Sequence, residues 1–196
     1  MRIIAGAHRG RRLFSVKGRA IRPTSDRVRE SIFNILADRV SGVNVLDLFA
    51  GTGALGIEAL SRGADHACFI DNNRQAILAV LKNINMIHLE EKAIILKWDA
   101  VDNLNCLVPG KTNFKLVFMD PPYGKNMVRP ALKNLDRSGC LEKNAVIVIE
   151  HTSRERLDEK MDSFIQSDRR KYGKTLISFY NYIDQNGNSH IGKEGR

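Results

Sequence analysis

The chain has 196 residues, 43% of them hydrophobic and 27% charged, with a formal net charge of +9. That length suits one domain with a substantial core, and no run approaches the ~18 apolar residues of a membrane-spanning helix. The start, Met1-Arg2-Ile3-Ile4-Ala5-Gly6, lacks the apolar core and cleavage pattern of a secretory signal. Cys68, Cys106 and Cys140 are too far apart in sequence to form a metal-type pair. The expectation is a reduced, cytoplasmic chain without structural zinc or any other metal.

The charge is unevenly placed. Residues 1–29 hold nine Lys/Arg against one acid, Asp26, which leaves 22 basic and 21 acidic residues for the rest. A balanced body therefore carries a basic N-terminal arm, a composition that favours contact with a nucleic-acid backbone. Within it, residues 2–14 read as a small β-hairpin turning at Ala7-His8-Arg9-Gly10. Residues 18–20 read as a loop. In Arg22-Pro23-Thr24-Ser25-Asp26, Pro23 ends extended chain and Thr24 or Ser25 can cap a helix. Val28, Ser31, Ile32, Ile35 and Leu36 give that helix its core face, with Arg27, Arg29 and Glu30 mainly on other faces.

Strands and helices then alternate. Residues 43–49, 66–70, 93–98, 114–119 and 145–149 read as strands, and those after the first are followed by Asp71, Asp99, Asp120 and Glu150. Helical patterns fall near 54–62, 77–84 and 128–135. This predicts an α/β fold with a mostly parallel, doubly wound sheet. Residues 154–161 read as a charged helical segment, and 164–170 with 175–183 as a terminal antiparallel hairpin, giving seven strands in all. The organisation expected is an arm over 1–21, a main domain over 22–183 and a disordered tail over 184–196.

Asp47-Leu48-Phe49-Ala50-Gly51-Thr52-Gly53-Ala54-Leu55-Gly56 carries a Gly-x-Gly-x-x-Gly pattern between strand and helix, with Asp71 twenty residues past Gly51. Spacing alone would suit a dinucleotide. Two features favour S-adenosylmethionine. Asp47, beside the loop, would repel a pyrophosphate but suit a sulfonium or ammonium. The second is Asp120-Pro121-Pro122-Tyr123, for which hydride transfer has no use. Here a near-continuous apolar run, Lys115 to Met119, stops at two prolines that cannot extend a ladder. A carboxylate and an aromatic ring are thus held where a buried strand meets the surface.

With these residues the sequence resembles the amino-methyltransferases marked by Asn/Asp-Pro-Pro-Tyr. More closely, it is similar to the bacterial RsmD family, whose members methylate the exocyclic amine of a guanine in small-subunit (16S) rRNA. The segments that match are Arg22-Pro23-Thr24-Ser25-Asp26-Arg27-Val28-Arg29-Glu30, residues 46–59, Asp120 to Tyr123, and Tyr172-Gly173 with residues 176–180. The resemblance implies a Rossmann-like class I S-adenosylmethionine-dependent methyltransferase. Its substrate would be 16S rRNA, within an assembled or assembling 30S subunit, and the chain would act as a monomer.

An exocyclic amine is a poor nucleophile because its lone pair is delocalised into the ring. Asp120 and the carbonyl of Pro121 can accept its two hydrogens, Pro122 stiffens the loop, and Tyr123 offers a stacking face. By strand position and family pattern, Asp71 with Asn72 would bind ribose, and Asp99 with Ala100 the adenine. Phe49, Ala50, Gly51 and Gly53 would line the loop. Asp47 would face the cationic end of the cofactor, and Asp120 would border it. Thr24 would close over the methionine carboxylate with Arg27 or Arg29 nearby. Arg9, Arg11, Arg12, Arg22, Arg170, Lys171 and Tyr172 are the expected RNA contacts. Glu150 shapes the pocket or serves as a structural acid, and His151 reads as a surface residue. Adenine in DNA or RNA, a protein glutamine, or RNA binding without catalysis are the competing readings.

Overall fold

The computed structural model describes residues 1–15 and 25–183. The 18–20 loop, Arg22, Thr24 and the 184–196 tail fall outside them. Five parallel strands form the centre: β1 (Asn44–Leu48), β2 (His66–Asp71), β3 (Ala93–Lys97), β4 (Phe114–Met119) and β5 (Leu141–Thr152). Helices α2 (Ala54–Ser61), α3 (Arg74–Ile87) and α4 (Val128–Arg137) make three of the crossovers, and α1 (Asp26–Leu36) precedes the sheet. The strand order is β3-β2-β1-β4-β5-β8-β7-β6, so the chain reverses direction across the sheet between β1 and β4. That reversal opens a crevice at the carboxyl ends of β1 and β4, where ligands of such sheets bind.

The sheet is covered on both faces because its strands are apolar at successive positions. In β4, Leu116 and Phe118 join the cluster under α1, α2 and α3, while Val117 and Met119 join the one under α4. Strands β7 (Phe164–Tyr172) and β8 (Thr175–Tyr182) form the expected terminal hairpin, β8 antiparallel to β5. Residues 154–161 are not helical. They run through turns into a two-residue strand, β6 (Lys160–Met161), which pairs with β7 and makes the sheet eight-stranded rather than seven. Only Leu157 and Met161 of this segment are buried, too few to hold a helix on the core.

The arm is a hairpin joined by one antiparallel bridge, Arg2 to Arg12, and it is fastened to the body. Glu58 of α2, 1% exposed, accepts from the backbone N–H of Ile4 (2.8 Å) and Ala5 (3.0 Å) and from Arg62 Nε (2.8 Å). Asn83 of α3, fully buried, accepts from Phe14 N at 2.6 Å and donates to Phe14 O (3.1 Å) and Thr52 O (2.9 Å). Arg29 is not on a solvent face. It is wholly buried, donates to Arg2 O and Asp26, and lies 3.9 Å from Glu58. Its buried charge sits between Asp26 and Glu58, and it is not placed to reach a ligand.

Candidate active site

The glycine loop follows β1. Ala50 N–H bonds Ile70 O at 3.0 Å, while Phe49, Gly51 and Gly53 take positive φ of 62°, 58° and 76°. Phe49 is the costly one, since a side chain there opposes the adjacent carbonyl. The three glycines divide their work. A Cβ on Gly51 would meet nothing nearer than Phe49 O at 3.8 Å, so this backbone stays approachable. On Gly53 it would press Phe69, Ile57 and Val80 at 3.2–3.3 Å, and on Gly56 it would reach Phe69 Cε1 at 2.4 Å. Gly53 and Gly56 are therefore there for packing of α2 against β2, and Gly51 alone faces open space.

Of the acids at the strand ends, Asp71 holds this loop in shape and Asp99 ties the loops after β2 and β3. Asp71 accepts from Gly51 N at 2.9 Å and from Asn73 N at 2.8 Å. Asp99 accepts from Asn72 Nδ2 at 2.8 Å and from Val101 N at 2.9 Å, and Ala100 O takes Asn134 Nδ2 at 3.0 Å. Asp47 departs from the expected position. Only 2% exposed, it lies beneath the loop and accepts from Gly56 N at 2.9 Å, so it braces the turn from inside. Burial pushes its carboxyl up to about 8, Gly56 pulls down, and Asp71 adds a smaller rise. Near neutral pH it holds a proton for much of the time and adds little negative charge to the loop.

The Asp120–Tyr123 tetrad emerges from β4 beside this loop, because Leu48 and Met119 are register partners. Asp120 is half-buried, Pro121 is buried, and Pro122 and Tyr123 reach the surface. Tyr123 is 47% exposed, yet its hydroxyl is pinned, donating to Glu150 Oε1 at 2.6 Å and lying 3.3 Å from Thr175 Oγ1. Burial and the bond to Glu150 raise its pKa, so the phenol stays protonated. Glu150 is 6% exposed and belongs to β5, one strand over.

A cavity of about 410 Å³ opens against this ring. Its walls are Ser25, Arg27 and Val28 of the α1 N-terminus, Tyr123, Glu150, and the hairpin turn from Lys171 to Thr175. Ser25 caps α1 through Val28 N at 3.3 Å. Tyr172 is half-buried and its hydroxyl bonds Ser31, which fixes its ring at the wall. The cations here are Arg27, Lys171 and Lys174, all exposed. Arg170 instead pairs with Asp168, its Nη2 2.9 Å from the carboxylate. Arg9, Arg11 and Arg12 stand exposed on the arm, Arg11 donating to Met86 O at 3.2 Å. The sequence offered Ser25 as a helix cap and Val28 as a core residue, both within the family-matching segment, but nothing in it placed them or Thr175 at a cavity. His151 was misread: it is 1% exposed. Its Nδ1–H donates to the carbonyls of Thr152 (3.1 Å) and Glu155 (3.0 Å), and Nε2 accepts from Ser178 (2.9 Å). Burial lowers its pKa, keeping it neutral as a tie between β5 and β8.

Against known proteins, the family described as conserved hypothetical protein 95 matches residues 1–181. A small-subunit rRNA methyltransferase D from Haemophilus influenzae is 36% identical over 151 residues, covering 76% of this chain and 78% of that one. The chain belongs to the RsmD family. A Bacillus subtilis relative, provisionally named an rRNA methyltransferase, is 38% identical over 180 residues, 92% of this chain and 98% of that one. Among solved structures, an Escherichia coli chain provisionally named a methyltransferase superposes with a TM-score of 0.82 at 32% identity. It covers 94% of this chain and 99% of its own. The fold is that of class I methyltransferases, as the RsmD resemblance implied. Among the described residues no helix is long and apolar enough to cross a membrane.

Proposed function

We infer that this RsmD-family chain transfers a methyl group from S-adenosylmethionine to the exocyclic N2 amine of a guanine in small-subunit rRNA. The observation that carries the reading is one of register. Leu48–Met119 pairing sets the glycine loop and the tetrad side by side at the switch point, with a cavity against the Tyr123 ring. The relatives named for small-subunit rRNA supply the substrate class. The residues present fit the cofactor: Gly51 leaves room for close backbone approach, and Asp71 and Asp99 put carboxylates at successive strand ends. Asp71 would take ribose hydroxyls and Asp99 the adenine amine, with Phe49 and Ala100 beside them. When bound, S-adenosylmethionine supplies an electrophilic methyl on a sulfonium.

The chain's own residues prepare the nucleophile. Asp120 accepts one amine hydrogen and the carbonyl of Pro121 the other, which turns the nitrogen lone pair out of conjugation. Neither proline offers a competing N–H, and their fixed φ keeps the acceptors still. Tyr123 stacks on the base, worth ~1–3 kcal/mol. Its bond to Glu150 fixes the plane of the ring before any substrate arrives. Lys171, Lys174 and Arg27 at the cavity, with Arg9, Arg11 and Arg12 on the arm, bind phosphates of structured RNA, best presented by a 30S particle. The test is nucleoside mass spectrometry of rRNA from a strain lacking the protein. Absence of one N2-methylguanosine is expected; an unchanged set of modified guanines would overturn the reading.

A further inference from the structure

We propose that Asn83 is a positioning residue that couples the basic arm to the glycine loop, so that seating of the arm and binding of the cofactor favour each other. The proposal rests on the reading above, in which the loop receives S-adenosylmethionine and the arm meets RNA. What it adds is a physical connection between the two.

One buried side chain touches both. Asn83 of α3 is fully buried. Its Oδ1 accepts from Phe14 N at 2.6 Å, and its Nδ2 donates to Phe14 O at 3.1 Å and to Thr52 O at 2.9 Å. A backbone N–H needs the oxygen end of the amide and a carbonyl needs the nitrogen end, so this network admits a single orientation of the side chain. Both amide hydrogens are then used. Phe14 lies two residues past Arg12, at the end of the arm, and Thr52 sits between Gly51 and Gly53. Neighbours on α3 serve the same seat. Lys82 Nζ lies 3.9 Å from the centre of the Phe14 ring, and Met86 O accepts from Arg11 at 3.2 Å.

The coupling follows from where the freedom of an asparagine lies. Its terminal torsion is broad, so nothing in the side chain itself aims Nδ2 at Thr52. Two bonds to Phe14 hold the amide plane and thereby point the second hydrogen at the loop. There the Thr52–Gly53 peptide is tied at both ends, Thr52 O to Asn83 and Gly53 N to Ala50 O at 2.7 Å. With that peptide fixed, Gly53 keeps its φ of 76° and Gly51 its open approach. When the arm lifts, Asn83 loses Phe14 and turns to water, and Thr52 O loses its donor. A ligand that needs the loop in this shape therefore opposes lifting of the arm. By linkage, a substrate that holds the arm down strengthens cofactor binding. Glu58 and Ser61 also fasten the arm, but their side-chain bonds go to Ile4, Ala5 and His8, nearer its turn.

The test is hydrogen exchange of the full chain, read by mass spectrometry on residues 1–14 with and without saturating S-adenosylmethionine, alongside calorimetry of cofactor binding. In the wild type the cofactor should slow exchange in the arm by about 10-fold, within the usual span of coupling between sites. The β6–β7 edge, at the far end of the sheet, is the internal reference and should not change. Asn83→Ala should bind the cofactor about 10-fold more weakly and exchange its arm at one rate whether or not the cofactor is present. Ser61→Ala should exchange faster in both states yet keep the slowing, because its arm loosens while the link stays. An arm unaffected by the cofactor in the wild type overturns the proposal without any variant, while cofactor binding itself keeps the parent reading. Slowing that survives in Asn83→Ala, or vanishes in Ser61→Ala, also overturns it. Should Asn83→Ala fail to fold, the wild type and Ser61→Ala still decide. No cofactor binding by the wild type removes the parent reading and the proposal together.

Discussion

Along the carboxyl edge of the sheet, the β1–β2–β3 half keeps its acids occupied by backbone donors, whereas the β4–β5–β8 half presents ring and charge to solvent. Asp47, Asp71 and Asp99 each take at least one main-chain N–H at 2.8–2.9 Å. On the other side, Tyr123 is nearly half exposed, and the cations at the cavity are long, exposed side chains. One half is suited to a small molecule that is always the same. The other is suited to a macromolecule that must be gripped, turned and released. On the proposed reading, the cost of ordering falls on the β4–β5–β8 side, where specificity can be drawn from it.

The strongest way to separate the halves is Asp120→Ala. Transfer should fall by about 10³-fold or more, while S-adenosylmethionine binding, followed by calorimetry, stays within a few-fold of wild type. Loss of binding would merge the halves and reassign Asp120 to the cofactor. Next in size is Glu58→Gln, which removes the buried carboxylate beside Arg29 and weakens one of the arm's three polar fastenings. Urea unfolding should show a loss of about 3–5 kcal/mol. A loss below about 1 kcal/mol would mean that Asp26 suffices for Arg29 and that Ser61 and Asn83 hold the arm without the Glu58 charge. Asp47→Asn tests the rigidity of the β1–β2–β3 half through pH. Because the folded pKa lies near 8 against an ordinary 3.8, the unfolded chain ionises first as pH rises. The contribution of Asp47 to stability is full below pH 3.8 and is lost on the way up to pH 8. The wild-type protein should therefore lose stability relative to the Asn variant across that window, and parallel melting profiles would contradict it. The smallest effect is that of Tyr123→Phe. Removing the bond to Glu150 should cost about 1 kcal/mol in kcat/KM, roughly fivefold, with cofactor affinity unchanged.

The β1–β2–β3 half of the fold could be read from sequence because its parts are local: strand, glycine loop and helix lie within residues 44–61. The same locality revealed the tetrad, as two prolines ending an apolar run. The cavity could not be read in this way. Ser25 caps α1, Tyr123 follows β4, Glu150 lies on β5 and Thr175 on β8, and they meet through long-range pairing, β4 parallel and β8 antiparallel to β5, which no spacing in the chain records. Burial of charge was the other blind spot. Arg29 looks like one more cation of a basic arm until Glu58, 29 positions on, is seen beneath it. His151 looks like a surface residue until Ser178 appears across the ladder. Residues 154–161 show what composition alone misses: charge at helical spacing, in a stretch that ends as an edge strand.

Fastening of the arm has a kinetic consequence. Its bonds to Glu58, Ser61 and Asn83 join positions 53 to 69 apart in sequence. Such contacts carry a large closure cost and can form only once α2 and α3 present their side chains. The arm should therefore dock after the folding barrier and detach before it on the way out. Truncating its apolar anchor, Ile3→Ala, should quicken unfolding while leaving the refolding rate nearly unchanged in stopped-flow measurements. A refolding rate that fell in step with stability would instead put the arm in the nucleus. In a cell, the basic hairpin would then be the last part of the molecule to complete, arriving on a body that is already built.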